Sequence, residues 1–514
     1  MQTFTKFIPK LSRLIVLFAL LSISTSTIAQ RHPFPQHVKY HNHIKPSQYT
    51  QEELDNHVRS FYDNWKSLYL KNGCETDQYY VFFDDNNTVT VSEAMGYGMM
   101  IMPLMAGYDP DARKYFDGMF RYYKAHPSSL TPHLMAWKQI TGCVNADGDD
   151  SASDGDIDIA FGLLLAHEQW GSTGAVNYLY FAKMIIEDIM GSSANRGDIN
   201  QDTHTVKPGD WAESGEYMTG TRTSDFITDH FKAFSCVAND SLSWANVVDK
   251  CYELIEVIQQ NYSANTGLLP DFIVDTDSDP KPASADYLEG NLDGHYSYNA
   301  CRDPWRLTTD YLISGDVRAL NAVKKINNWI FEKTGGNTSK IYAGYYLNGN
   351  KAANWKDVSF TAPFTVGAML DPTKQNWLDN LYSEILSADI SDGGYFGNTL
   401  KLLSLITVTG NYWTPPCQLY SGITEPQLQK SNNFNISASK AEGTLTVSLN
   451  NSLPNKNTRI NIYNSCGALV KQQSLNKGKT TKIFISNFQA GLYLITLFTD
   501  NGKNLGTKKF IWNL

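Results

Sequence analysis

Along residues 50–413, apolar side chains recur at spacings of three and four, in stretch after stretch, each closed by a loop rich in Gly, Asp or Asn. The pattern predicts helices over residues 50–70, 93–106, 112–125, 156–170, 175–190, 225–234, 243–262, 304–313, 317–334, 361–370, 374–387 and 395–409, with Ile157, Ala160, Leu164 and His167 typical of the spacing. Each such segment must bury its apolar face against another element. About a dozen of them fit either a superhelical stack or a closed double ring of helices. No fixed repeat period accompanies them, which weakens the stack.

After Trp413-Thr-Pro-Pro416 the pattern changes. Residues 418–432 are polar and read as a linker. Beyond them come short alternating runs at 434–437, 445–449, 459–463, 481–485, 491–498 and 508–512, punctuated by Asn464-Ser-Cys-Gly467 and Asp500-Asn-Gly502. That is the pattern of a small all-β sandwich, suited to attachment rather than catalysis. At the other end, Lys6, Lys10 and Arg13 precede an apolar stretch at 14–23 and the small-residue ending Thr27-Ile-Ala29. The stretch is too short to span a bilayer and reads as a signal peptide over residues 1–29. No later segment is apolar enough to cross a membrane.

A net charge of -9 argues against nucleic acid, whose phosphates demand clustered Lys and Arg. Aromatic residues make up 12% of the chain, and such rings suit both a large helical core and stacking on sugar faces. The seven cysteines are dispersed and lack a Cys-x-x-Cys pair, so they suggest neither zinc nor a disulfide scaffold. An odd count leaves at least one unpaired, and spacing assigns no bridge.

Three segments carry candidate chemistry. In the first, Asp150-Ser-Ala-Ser-Asp-Gly-Asp-Ile-Asp-Ile-Ala160 gathers four carboxylates at the mouth of an apolar helix. A calcium loop starting at Asp147 requires glycine at 152 and glutamate at 158, where the chain has Ala152 and Asp158. Helix capping by Ser153 or Asp154 accounts for one or two of the acids. An active-site carboxylate held ionised at the helix start accounts for another, and Asp154 is best placed for it. Asp156 and Asp158 are as well explained by structural pairing.

The second is Val91-Ser-Glu-Ala-Met-Gly-Tyr-Gly-Met99, in which Glu93, Gly96, Tyr97 and Met100 share a helical face. Two glycines in a helix are costly unless something must approach closely. The third, Gly294-His-Tyr-Ser-Tyr-Asn-Ala-Cys-Arg-Asp-Pro-Trp-Arg306, crowds hydrogen-bonding and aromatic groups before a helix that begins near Pro304. Its arginines can grip carboxylates by forked contacts, and its tyrosines can line a sugar subsite.

Together these segments resemble glycoside hydrolase family 8, the inverting endo-glycanases of cellulase, lichenase, chitosanase and xylanase type. The likeness rests on Ser92–Met99, Ala152–Ala160 running on to Trp170, Tyr298–Arg306 and the ending Gly410-Asn-Tyr-Trp413, with Gly162 where Ser or Ala is usual. It covers roughly residues 40–415. The resemblance implies an (α/α)6 barrel, Glu93 as general acid and Asp154 as the group that binds and distorts the sugar at the cleavage point. Tyr298 and Arg302 would line that subsite. Tyr97 is a further expected substrate contact, and Trp137, Trp211 and Trp305 are candidate stacking platforms for sugars.

One departure matters. Many members carry Asp as the base where this chain has Asn299, and an amide cannot take a proton from water. The chain resembles the branch with Asn there, which includes chitosanases and glucanases and draws its base from a preceding loop. That loop is Pro280-Lys-Pro-Ala-Ser-Ala-Asp-Tyr-Leu-Glu-Gly-Asn-Leu-Asp-Gly294, and Glu289 is the expected base, with Asp286 and Asp293 behind it. Glu93 must then be protonated at working pH, which burial or the neighbouring Asp154 would favour. Neither metal nor organic cofactor is expected.

The C-terminal segment, especially Ala490-Gly-Leu-Tyr-Leu-Ile-Thr-Leu497, Gly502 and Lys508-Lys-Phe-Ile511, resembles the sorting domain of the type IX secretion system; a carbohydrate-binding module is the competing reading. The expected organisation is a signal peptide (1–29), a catalytic barrel (30–417), a linker (418–432) and a sorting sandwich (433–514). The expected protein is a secreted or surface-held monomer whose partners are a polysaccharide and the secretion machinery. β-Glucan and chitosan fit best, xylan less well. A catalytically dead glycan-binding barrel and a surface adhesin are the competing classes.

Overall fold

The computed structural model describes residues 30–146, 148–192, 196–417, 434–439, 442–449, 458–464, 469–475, 480–488, 491–499 and 504–512. The expected signal peptide and linker, Asp147 and Cys466 lie outside them.

Among the described residues twelve helices of eight or more residues form the body: α1 (Gln51–Tyr69), α2 (Ser92–Met105), α3 (Ala112–Ala125), α4 (Ser153–Trp170), α5 (Tyr178–Met190), α6 (Thr228–Ser235), α7 (Ser241–Asn261), α8 (Asp303–Ser314), α9 (Val317–Thr334), α10 (Val358–Gly367), α11 (Gln375–Ser387) and α12 (Gly394–Val408). Odd and even helices differ in kind. α1, α3, α7, α9 and α11 bury one face, whereas α2, α4, α8, α10 and α12 are buried almost all round. A helix buried on every side lies inside other protein, so these even helices are inner.

The contacts agree. α2 packs on α4, α4 on α6, α6 on α8, α8 on α10 and α10 on α12, while each odd helix leans on an inner one. α1 returns the chain to its start, since Trp65 donates to Thr399 of α12 and Tyr62 donates to Asp109, just beyond α2. One hydrophobic core runs from Phe34 to Trp413.

Local sequence sets many of the ends. Thr50 and Glu53 cap α1 reciprocally, and Pro304 opens α8 within its first turn while Gly315 closes it in the left-handed conformation. The expected cap at α4 is different. Ala152 occupies the cap position, and the Ser153 hydroxyl instead donates to the Lys207 carbonyl at 2.6 Å.

The C-terminal region is β-rich: β1 (Phe434–Ser439), β2 (Thr444–Leu449), β3 (Thr458–Asn464), β4 (Leu469–Leu475), β5 (Thr480–Phe484), β6 (Gly491–Thr499) and β7 (Asn504–Trp512). They form two antiparallel sheets, ordered β5-β2-β1 and β4-β3-β6-β7, around a shared core that includes Phe434, Ile462, Ile483, Ile495 and Trp512. β4 was not expected from sequence. It is an edge strand, and its Lys471-Gln-Gln473 centre hides the apolar alternation.

Two disulfides, Cys74–Cys143 and Cys236–Cys417, settle pairings that spacing left open; Cys251 and Cys301 are buried thiols. The second ties the end of the body to the close of α6. Among the described residues no helix is long and apolar enough to cross a membrane.

Candidate active site

The first turns of α2, α4, α8 and α12, or the residues just before them, converge on one end of the body, and the segment 222–225 ahead of α6 joins them. Helix N-termini carry partial positive charge and spare N–H groups, a setting that tolerates several carboxylates. Glycine brings the first two helices together. A Cβ on Gly96 would lie 2.6 Å from that of Asp158, and one on Gly155 would lie 2.3 Å from the Ser92 hydroxyl. The backbones of α2 and α4 therefore touch, which sets Glu93 beside Asp154.

Arg302 joins the two acids. Its Nη1 donates to Glu93 Oε2 at 2.6 Å and to Asp154 Oδ2 at 3.0 Å, and it also reaches Tyr97 Oη at 3.2 Å. Its Nη2 donates to Ser224 Oγ and to Asn299 Oδ1, both at 2.7 Å. Asn299 in turn donates from Nδ2 to Glu289 Oε2 at 2.7 Å, while Arg222 Nη2 holds Glu289 Oε1 at 3.0 Å. Arg222 Nη1 stands 3.8 Å from Asp154, closing a ring of five side chains: Arg302, Asn299, Glu289, Arg222 and Asp154. Glu93 hangs on this ring through Arg302, and Tyr395 of α12 donates to its other oxygen at 3.1 Å.

The carboxylates sit in different settings. Burial raises the pKa of Glu93 to about 7; Arg302 opposes the rise and Asp154 adds to it. Its side chain still keeps 15% of its exposure, so a substrate can reach it. Asp154 is also desolvated, but Arg222 and Arg302 outweigh burial and hold its pKa below the ordinary value. One carboxyl is thus biased towards its acid and its neighbour towards its anion.

Glu289 is held quite differently, on an exposed loop. A small antiparallel sheet of Thr221–Arg222, Phe272–Val274 and Lys281–Pro282 carries Arg222 on one strand and leads into the loop from another. Phe272, Val274, Ala283 and Tyr287, with Tyr217 and Leu288 against them, give the loop an apolar cluster of its own. Asp293 accepts the backbone N–H groups of Leu288, Glu289 and Gly290 at 2.7, 3.0 and 2.9 Å. Asp271 does the same for Ser297 and Ala300, fixing the turn that carries Asn299.

Several expectations are corrected. Tyr97 does not line an open subsite: it is fully buried beneath Arg302, with Trp305 against its ring. Trp305 is likewise a core residue, its edge against Tyr97 and its face under the Arg306 guanidinium at 4.2 Å. Asp293 cannot meet substrate, being buried and engaged by three amides; Asp286 is exposed on the same loop, with φ of +56°. Arg302 and Asn299 lie in the floor, 1% and 7% exposed. Trp137 and Tyr298 remain at the surface, and the Trp137 carbonyl accepts the Ser92 N–H directly before Glu93.

The crowded acidic stretch resolves by direction. Asp154 faces the ring, Asp156 accepts the Met135 N–H at 2.8 Å, and Asp158 takes a forked contact from Arg306 at 3.1 and 2.6 Å with His230 beside it. Ser151 donates to Asp198 and so belongs to the structure around the loop rather than to a calcium site. The reading of the sequence missed Arg222, Ser224 and Tyr395. The glycine pair before Tyr395 was a usable sign; nothing local marks Arg222.

A deep carboxyl biased towards its acid, linked through a guanidinium and an amide to an exposed carboxyl, is the kind of pair a glycosidase can use at the end of a helical body. The particular family follows from comparison. Residues 50–410 match the model of glycosyl hydrolases family 8, and residues 441–513 match that of the secretion system C-terminal sorting domain. The chain is 48% identical to a β-glucanase of Niallia circulans over 77% of its own length and 95% of that protein. It is 37% identical to an endoglucanase of Bacillus sp. strain KSM-330, over 74% and 82%. The apo structure of a β-1,3-1,4-glucanase from Paenibacillus sp. X4 superposes with a TM-score of 0.72 at 49% identity, covering 75% of this chain and all of that one. The chain belongs to glycoside hydrolase family 8 and is a glycoside hydrolase, carrying a sorting domain that directs it to secretion or the cell surface.

Proposed function

We propose that the helical body, residues 30–417, is an (α/α)6 barrel that cleaves β-1,4 links of mixed-linkage or cellulosic β-glucan with inversion, and that residues 433–514 are a sorting sandwich. The alternation of six inner and six outer helices supports the barrel. The observation that carries the chemistry is the bridge from Glu93, with its raised pKa, through Arg302 and Asn299 to Glu289. Glu93 gives its proton to the glycosidic oxygen as the bond breaks. Glu289 takes a proton from a water on the opposite face of the sugar, which attacks the anomeric carbon in one displacement. Inversion requires the two carboxyls to stand roughly 6.5–9.5 Å apart so that water fits between.

Asn299 does not act as base. Its amide orients Glu289, and Arg222 holds the other oxygen of that side chain. Asp154, kept ionised, grips sugar hydroxyls beside the cleavage point and favours a distorted ring. Tyr298 and Trp137 offer exposed aromatic faces for flanking sugars.

The relatives named β-glucanase and β-1,3-1,4-glucanase favour β-glucan over chitosan or xylan. Reducing-sugar release from lichenan, carboxymethyl cellulose, chitosan and xylan, side by side, tests the substrate, and NMR of the first product formed tests inversion. Lichenan is expected to be cleaved fastest. Binding without release would establish an inactive glycan-binding barrel instead, and a Glu93→Gln protein with near-normal turnover would remove Glu93 from its role.

A further inference from the structure

Trp355 is 57% exposed, the largest exposure of any big apolar side chain among the described residues of the body. Exposure alone would say little, since single surface aromatics are common. This indole, however, is fastened to the active site. Its Nε1 donates to Tyr298 Oη at 3.3 Å, and Tyr298 Oη donates to Asp357 Oδ2 at 3.2 Å. Asp357 is itself fixed as the cap of α10, its Oδ1 accepting from the Ser359 N–H and hydroxyl at 2.9 and 2.8 Å. The Trp355 carbonyl also accepts the Ala343 N–H.

Tyr298 is the residue before Asn299, its ring braced edge-on by Phe360 at 5.1 Å. Trp355 is therefore an indole tied by its Nε1, more than half exposed, and one hydrogen bond from a residue that borders the ring. Beside it, Lys356, Asp357, Glu384, Asp389 and Asp392 edge a hollow of about 320 Å³, enough for a sugar residue and rich in groups that pair with hydroxyls.

We propose that Trp355 is the platform of a further glycosyl subsite, where a sugar of the same β-glucan chain stacks beyond Tyr298 and turns its hydroxyls towards the Lys356–Asp357 edge. The proposal rests on the β-glucanase reading of the site. A sugar on a pre-oriented indole loses little side-chain entropy on binding, because the indole is already held. The platform would favour substrates long enough to reach it, and so bias the enzyme towards polymer over short oligosaccharides.

The test compares Trp355→Ala and Trp355→Phe with the unaltered full chain on β-glucan oligosaccharides of increasing length. The expected result is that the ratio of kcat/KM for long over short substrates falls about three- to ten-fold in the alanine protein, carried by KM, with the phenylalanine protein recovering most of it. An equal loss at every length, or an unchanged ratio, overturns the proposal. Calorimetric binding of the longest oligosaccharide to Glu93→Gln, with and without Trp355→Ala, separates the two readings. A common affinity for both proteins rejects the subsite, whereas failure of the unaltered protein to release sugar rejects the hydrolase reading instead.

Discussion

Glu93 and Glu289 are both glutamates at the same site, yet the protein builds them in opposite ways. Glu93 sits in the first turn of an inner helix whose glycine lets the neighbouring backbone touch it, and its direction is set by the packing of the whole body. Glu289 sits on an exposed loop with an apolar cluster of its own, held from outside by Arg222, Asn299 and the amides gathered on Asp293. The difference teaches how one fold can set two carboxyls in contrasting surroundings, the contrast on which the proposed donor and acceptor roles depend. Desolvation inside the helical body raises the pKa of Glu93, whereas Glu289 stays in solvent with a guanidinium against it.

The strongest way to break this comparison is to remove each group. Glu93→Gln should lower kcat by about 10⁴-fold with unchanged circular dichroism, since it removes the proposed proton donor to the leaving oxygen. Glu289→Ala should cost about 10³-fold, and added azide should restore part of that loss by replacing the activated water. Azide that rescued the Glu93 variant equally would show that the roles had been exchanged.

Next in size is the loop's own scaffold. Asp293→Ala leaves three amides without their acceptor, and a base displaced by about an ångström should lose about 10²-fold in kcat. KM should move much less. A parallel loss in KM would mean that the loop chiefly binds sugar.

The smallest effects sharpen the acid. Only protonated Glu93 can donate, so kcat should fall as pH rises through about 7. Asp154 raises that pKa and the Tyr395 hydrogen bond lowers it. In Asp154→Asn the alkaline limb should therefore move to lower pH, and in Tyr395→Phe to higher pH. Profiles of the residual activity decide this, and movement of both limbs in one direction would contradict the electrostatic account.

Legibility varied along the chain for physical reasons. The twelve helices were readable because each must bury side chains at helical spacing, on one face in the outer helices and almost all round in the inner ones, although their limits differ by a few residues from those expected. Glu93, Asp154, Asn299 and Glu289 were found through motif likeness, and the structure places all four in contact with Arg302 or one hydrogen bond removed from it. Tyr97 was misjudged because helical periodicity says which residues share a face, not whether that face meets solvent or another inner helix.

The order of amino acids by itself determined the helical body, the β-rich end, the acidic helix mouths and the glycines that let α2 and α4 touch. These are local properties, fixed by side-chain periodicity, turn chemistry and the space a residue occupies. Only the tertiary structure decided that Tyr97 lies buried beneath Arg302, that Arg222 holds Glu289, 67 positions away, and that one glutamate is desolvated while its counterpart stays wet. Those are matters of distance and burial between remote segments, and both arise only when the chain has closed on itself.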